Sequence, residues 1–317
     1  MIIHNIELAA SVLNEEGIIG LPTETVYGLA GNIFSEKAIK AIYQIKQRPL
    51  FNPLIVHIKS FEDLSTIAEE VPPIAIKLAK AFWPGPLTLL LKKKPLVADL
   101  VTSGKATVAV RIPDHPIALA LLNRIDFPLA APSANPFGMI SPTKAKHVNE
   151  YFKDLMILDG GECINGIEST IIGFQGNEVI VYRLGSITLD EIEPIAGKVS
   201  LINKNDSAPE APGMLSKHYA PRTPLVVAET IQELIQQFKN KKIGLLLFSN
   251  TFEGLPENAV QIILSPNKNL SEAASKLYDA LHQLDKLNLD IIIAEKLPEE
   301  GLGMVMNDKL RRASVET

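Results

Sequence analysis

The sequence predicts an α/β protein in two unequal parts, an N-terminal unit built on a mixed sheet and a smaller C-terminal unit built on a parallel one. Three observations carry this. Helix-period and strand-length apolar segments alternate through the first 202 residues, as layered helices on a sheet require. Two strand-like runs, Ser169 to Phe174 and Val179 to Arg183, follow each other across Gly176-Asn177; such a hairpin is antiparallel, so the sheet is mixed. The pattern stops over 203–224, which is rich in Pro, Asn, Ser and Gly, and a cleaner strand-helix-strand alternation resumes at Leu225. With 317 residues, 46% of them hydrophobic, the chain has length for two domains and apolar content for a large core. The expected division is 1–202, a linker at 203–224, and 225–317.

Each element follows from local patterning. Asn5 caps a helix with Ile6, Ala9, Ala10 and Leu13 on one face; Gly17 stops it before the strand Ile18 to Leu21. Ser35 caps a second helix with Ala38, Ile39, Ile42 and Ile45 at helical spacing, and Arg48-Pro49 ends it, because a residue before proline avoids the helical region. Strands are expected at Leu54 to Ile58, Leu87 to Lys92, Thr107 to Ile112, Leu129 to Ala131 and Met156 to Leu158, before the hairpin. Helices are expected near 61–69, 73–83, 115–124, 143–152 and 188–196, the last opened by Thr188 and Glu191 at capping-box spacing. The C-terminal unit reads as strand Leu225 to Ala228, helix 230–239, strands Ile243 to Phe248 and Val260 to Leu264, helix 271–286, strand Ile291 to Glu295 and a helix near 301–313, a parallel Rossmann-like series.

Composition narrows the function. No apolar run approaches the ~18 residues that cross a bilayer. The first residues carry Glu7, Glu15 and Glu16 where a signal peptide would be apolar, so the expectation is a cytoplasmic protein. Cys163 is the single cysteine, which rules out an intrachain disulfide and argues against a cysteine zinc site. Neither a P-loop, a G-x-G-x-x-G turn, an H-E-x-x-H helix nor a G-x-S-x-G elbow is present.

Polar residues gather instead at strand ends and loops. Lys46 and Arg48 stand two apart at a helix end, a pairing that suits phosphate oxygens or simply a solvated terminus whose cations complement the dipole. Asn52, His57, Thr23, Thr25 and Tyr27 crowd the same strand-helix-strand unit. Arg111 ends an apolar strand and needs an anion, either a ligand or a structural partner. The loop at 130–143 offers Ser133, Asn135, Ser141 and Thr143 for phosphate binding or for capping the next helix. Glu168, Ser169, Thr170 and Arg183 lie on the hairpin, as site residues or as a polar strand face.

The residues P-T-E-T-V-Y-G-L at 22–29, K-Q-R-P with N-P-L-I at 46–55, S-A-N at 133–135, S-P-T at 141–143, G-I-E-S-T at 166–170 and Y-R-L-G at 182–185 together resemble the YrdC-like threonylcarbamoyl-AMP synthases. P-G-M and H-Y-A-P at 212–221, with the tail ending G-L-G-M, resemble the long, two-domain form of that family. The likeness covers essentially the whole chain; it departs at Gln47, where glycine is common.

The resemblance implies an open, twisted mixed sheet around a concave basic cavity, and an enzyme that joins L-threonine, bicarbonate and ATP into threonylcarbamoyl-adenylate and pyrophosphate for a tRNA modification. It implies that Lys46, Arg48, Asn52, Ser133, Asn135, Ser141 and Arg183 hold the nucleotide, with Thr107 nearby, and that Lys46 and Arg48 stabilise the charge that develops. Thr25, His57, Arg111 and Ser169 would hold threonine, with Thr23 and Tyr27 lining the pocket. Tyr219 and His218 would reach in from the linker, and Mg²⁺ would accompany ATP. The implied partners are the transferase machinery that uses the adenylate and a weak tRNA contact. Two rivals remain: an RNA-binding module without catalysis, disfavoured because residues 1–200 carry 18 Lys and Arg against 21 Asp and Glu, and a carbamoyltransferase of related fold, whose extra modules this chain has no length for.

Overall fold

A computed structural model describes residues 1–176, 178–202 and 209–315. The expected turn residue Asn177 and the first part of the expected linker, 203–208, lie outside the described residues. One large mixed sheet runs, edge to edge, through Ile2–Ile3, Met156–Leu158, Ile19–Leu21, Gly28–Asn32, Leu129–Ala130, Ile55–His57, Thr107–Arg111, Leu87–Lys92, Thr170–Gln175, Glu178–Arg183 and Val199–Leu201. The hairpin is antiparallel, with Val179 opposite Phe174, whereas Ile55–His57 runs parallel to Thr107–Arg111. A second sheet, wholly parallel, orders Leu225–Ala228, Ile291–Glu295, Ile243–Leu247 and Ala259–Ile263.

The capping residues act as their chemistry dictates. Asn5 and Ser35 accept the N–H groups of Leu8 and Ala38, and the Thr188 N–H donates to the Glu191 carboxylate at 2.8 Å. The helix Glu36–Lys46 ends one residue earlier than the proline rule places it, because Gln47 turns left-handed at φ 52°. That conformation is the one glycine adopts most readily, and it redirects the chain between Lys46 and Arg48.

Several differences have local causes. Helix 61–69 shrinks to the single turn Leu64–Ile67. The strand Gly28–Asn32 was not expected, since its small residues carry no alternation; a Cβ on Gly31 would stand 3.2 Å from Ala38 of the helix packed on it. Ile2–Ile3 and Val199–Leu201 are too short for periodicity to reveal. Among the described residues no helix is long and apolar enough to cross a membrane.

The two sheets share one continuous core. Leu277, Tyr278, Leu281, Val305 and Leu310, from the helices Leu270–Asp285 and Gly301–Ala313, are buried in the same cluster as Val56, Val110 and Ile172 of the large sheet. Contact is close at Gly166 (φ +70°), where a Cβ would lie 2.4 Å from the Ser275 Cα; any other residue would push the helix away.

A histidine pair lies in this contact. His147 and His282 stack at 4.0 Å; the His282 Nε2 donates to the Ser141 carbonyl at 3.2 Å, and the His147 Nε2 is 3.1 Å from Asp279. Burial pushes His282 down to about 3, the neighbouring His147 and Lys286 adding to the shift and Asp279 opposing it. The folded value lies below the unfolded one, so the unfolded chain binds the extra proton: stability is complete above about pH 6.5 and falls as pH drops toward 3. Asp279 is held below its usual range by His147 and Lys144, so its contribution is lost at still lower pH. Thermal midpoints measured from pH 7 to 4 are expected to fall more steeply for the native chain than for His282→Gln, and parallel curves would refute this assignment.

Candidate active site

The site forms where the turn 22–27, the helix end 46–52, the strand ends at His57 and Arg111, and the turn 166–169 converge. Thr23 shapes the first turn: its hydroxyl donates to the Val26 carbonyl at 2.6 Å and lies 2.9 Å from the Thr25 hydroxyl. Parallel register sets His57 opposite Arg111. Burial and the Arg111 charge hold His57 well below its ordinary value, so it is a neutral imidazole.

Arg111 has a structural partner. Its Nη2 donates to the Glu24 carboxylate at 3.0 Å and its Nη1 to the Thr25 hydroxyl at 3.1 Å, while its Nε makes no hydrogen bond within the fold. Glu24 also accepts the Asp114 N–H at 3.1 Å, and both members of the ion pair are buried.

The other cations are different. Lys46 donates to the carbonyls of Ser133 and Asn135. Arg48 donates to the Asn52 carbonyl at 3.0 Å, to the Asn52 side-chain oxygen at 2.7 Å and to the Pro53 carbonyl at 2.7 Å. Arg183 donates to the carbonyl and hydroxyl of Ser169, both at 2.9 Å. All three are buried, yet every one of these acceptors is neutral, and among the described residues no carboxylate pairs with them. Burial pushes Lys46 well down, with Arg48 adding to it, and pushes Arg48 down to about 10. Uncompensated buried charge is costly, so this cluster is built to receive an anion.

Thr23, Thr25, Arg48, His57, Arg111, Ser133, Ser169, Arg183 and Tyr219, all predicted site residues, line one cavity with His218 and Glu168. The others stand behind or beside it. Lys46 braces the Ser133 loop, Asn52 braces Arg48, and the Asn135 amide braces the loop by donating to Pro136 and Met139 carbonyls at 2.8 and 2.9 Å. Ser141 caps no helix; its hydroxyl donates to Glu168 at 2.6 Å. The Tyr27 hydroxyl is engaged with the Gly161 carbonyl at 2.8 Å and the Gly160 N–H at 3.0 Å, away from the cavity. Thr107 lies outside the lining, opposite Lys92 in the sheet, with its hydroxyl unpaired.

The cavity holds only about 50 Å³, and Pro212, Gly213, His218 and Tyr219 form one of its walls. Tyr219, in a left-handed conformation at φ 68°, is buried beside His218 (ring centroids 4.1 Å apart) and under the Lys309 ammonium (4.9 Å). Gly213, at φ +84°, allows the approach, since a Cβ there would stand 2.6 Å from Arg183. Burial and the surrounding Arg48, Lys46, Lys309 and Arg183 keep His218 neutral.

Sequence reasoning gave Glu24 no role, although it sits inside the T-E-T motif, and it overlooked Thr88, whose hydroxyl is 2.7 Å from that of Ser169. The donor set does not suit a protein-held Mg²⁺: Glu24 is paired with Arg111, Glu168 already accepts two hydroxyls, and no metal-ligating cluster exists among the described residues.

Residues 11–185 match the family described as telomere recombination, and residues 187–315 match the threonylcarbamoyl-AMP synthase C-terminal domain. The chain is 41% identical to a threonylcarbamoyl-AMP synthase of Pyrococcus abyssi, over 98% of this chain and 94% of the other. It is 39% identical to a protein of that name from Bacillus subtilis, over 96% and 92% of the two chains, and 34% identical to one from Schizosaccharomyces pombe, over 98% and 88%. The crystal structure of P. abyssi Sua5 complexed with L-threonine superposes with a TM-score of 0.91 at 41% identity, covering 98% of this chain and 94% of that one.

Proposed function

The chain belongs to the threonylcarbamoyl-AMP synthase family, and from that premise we propose that it makes L-threonylcarbamoyl-AMP and pyrophosphate from L-threonine, bicarbonate or CO2, and ATP, for threonylcarbamoyladenosine formation in tRNA. The observation that carries this reading is the cluster of buried Lys46, Arg48 and Arg183 with neutral acceptors only, beside a pocket of hydroxyls and Arg111.

The chemistry asks little beyond placement and charge. The threonine amine takes up CO2 to become a carbamate, whose oxygen attacks the α-phosphorus of ATP as pyrophosphate leaves. Negative charge accumulates on the phosphates, and Arg48, Arg183 and Lys46 are fixed in advance to meet it. An anion would also restore the proton affinity that burial takes from Lys46. Arg111 would bind the threonine carboxylate through the edge that Glu24 and Thr25 leave open, and the Thr25 and Ser169 hydroxyls would meet the substrate hydroxyl. His57, held neutral, supplies a hydrogen-bonding wall without a further charge. Mg²⁺ we place with the triphosphate.

The cavity of about 50 Å³ is walled in part by Gly213, His218 and Tyr219, and we read the segment at 212–219 as a lid that moves aside when ATP enters. We read 1–202 as the catalytic domain, 203–224 as linker and lid, and 225–317 as the second domain. The adenylate then passes to a transferase, with at most a weak tRNA contact here; the setting is the cytoplasm.

The test is pyrophosphate release from ATP, Mg²⁺ and bicarbonate with L-threonine, L-valine or no amino acid. Release should depend on threonine and bicarbonate. Valine, which lacks the hydroxyl, should show kcat/KM lower by about 100-fold or more, because it leaves buried polar groups unpaired. Equal turnover of valine would overturn the pocket assignment, and release independent of any amino acid would overturn the synthase reading.

A further inference from the structure

Among the described residues Glu168 is the one carboxylate in the cavity lining, and it is 5% exposed. Its two oxygens are held by hydroxyls from the two units. Ser141 of the large-sheet unit donates to Oε1 at 2.6 Å, and Tyr278, on the helix Leu270–Asp285 of the second unit, donates to Oε2 at 2.8 Å. We propose that Tyr278 is a positioning residue of the active site, acting through Glu168, so that the second domain sets the geometry of the nucleotide cavity. This rests on the synthase reading above.

The placement is tightly determined. One turn before Tyr278, Ser275 touches the backbone of Gly166, two residues from Glu168, at a distance only glycine permits. Beyond Glu168, the Ser169 hydroxyl and carbonyl receive Arg183, one of the three cations without an acidic partner among the described residues. A shift of Glu168 is therefore transmitted over one residue to a phosphate-facing arginine. The Tyr278 ring also stacks against Tyr219 at 5.8 Å, so the same side chain touches both the fixed wall and the linker. Burial and the adjacent carboxylate push the Tyr278 phenol well up, which keeps it a donor at every working pH. Ser141 holds only Oε1 of the carboxylate; the Tyr278 hydroxyl supplies the donor that holds Oε2.

The experiment is steady-state pyrophosphate release and thermal unfolding of the full chain, with Tyr278→Phe, Glu168→Gln and the double variant. Tyr278→Phe removes a single oxygen and leaves the packing. It should keep the native thermal midpoint within a few degrees while raising the KM for ATP about fivefold to twentyfold, with a smaller change in kcat. Glu168→Gln should raise the same KM, and adding Tyr278→Phe to it should change that KM less than about twofold, since the contact is already altered. A midpoint loss with unchanged KM would reduce Tyr278 to a packing residue and overturn the proposal, as would full additivity in the double variant. If the native chain itself showed no threonine-dependent release, the synthase reading would fall first; a competent native chain with an unaltered Tyr278→Phe would defeat this proposal alone.

Discussion

Arg48→Ala is expected to lower threonine- and bicarbonate-dependent pyrophosphate release by roughly 100- to 1,000-fold, the loss seen when one preorganised donor to a developing anion is removed. Arg48 is the cation best placed for this. It lines the cavity, its planar group is locked by three oxygens of Asn52 and Pro53, and burial leaves it charged at neutral pH. Arg48→Lys should recover little, because an ammonium cannot reproduce the fork that satisfies those oxygens and still faces a phosphate. Activity at saturating substrates and the shift in thermal midpoint on adding ATP are the two readings. Both should disappear together; a folded Arg48→Ala protein within tenfold of native activity would show that the nucleotide phosphates lie elsewhere.

Glu24→Ala should cost about 3 to 5 kcal/mol of stability, because it strands Arg111 as a buried cation without its partner. The pair is almost wholly buried, and Glu24 also ties down the backbone at Asp114. Denaturant midpoints with unchanged slope would measure the loss. The double variant Glu24→Leu with Arg111→Met replaces the pair by apolar groups of similar size and should regain most of that stability. It should remain inactive nonetheless if Arg111 also binds the threonine carboxylate, as proposed above. Recovery of activity with stability would show that the pair is purely structural.

Glu24 also illustrates where sequence reasoning stops. The motif T-E-T-V-Y-G displayed the residue, but nothing along the chain reveals that Arg111, far away in sequence, lies 3.0 Å from it. The reverse holds for Lys46 and Arg48, whose spacing marked them at once, while their lack of an acidic partner became visible only when the strands were assembled. Ser141 carries no sign in the sequence that its hydroxyl donates to Glu168 across 27 residues. Tyr278, Lys309 and Arg312 carried no local signal, because on a helix they are indistinguishable from ordinary interior or surface residues until the helix is docked. Arg312 in fact clamps the linker through the carbonyls of Gly213 and Leu215, both at 2.8 Å.

The sequence by itself determined what depends on near neighbours: the caps at Asn5 and Ser35, the antiparallel hairpin, the strand-helix alternation of the second sheet and the motifs that carry the family likeness. These follow from side chains acting on backbone within a few residues, so composition and spacing suffice. Tertiary structure alone decided which charges have an acidic partner among the described residues, that Gly213, His218 and Tyr219 wall the cavity, and that the second unit shares the core and reaches Glu168. Those depend on burial and on distances between segments remote in the chain, and the cost of a buried charge or donor is set by what stands opposite it in space.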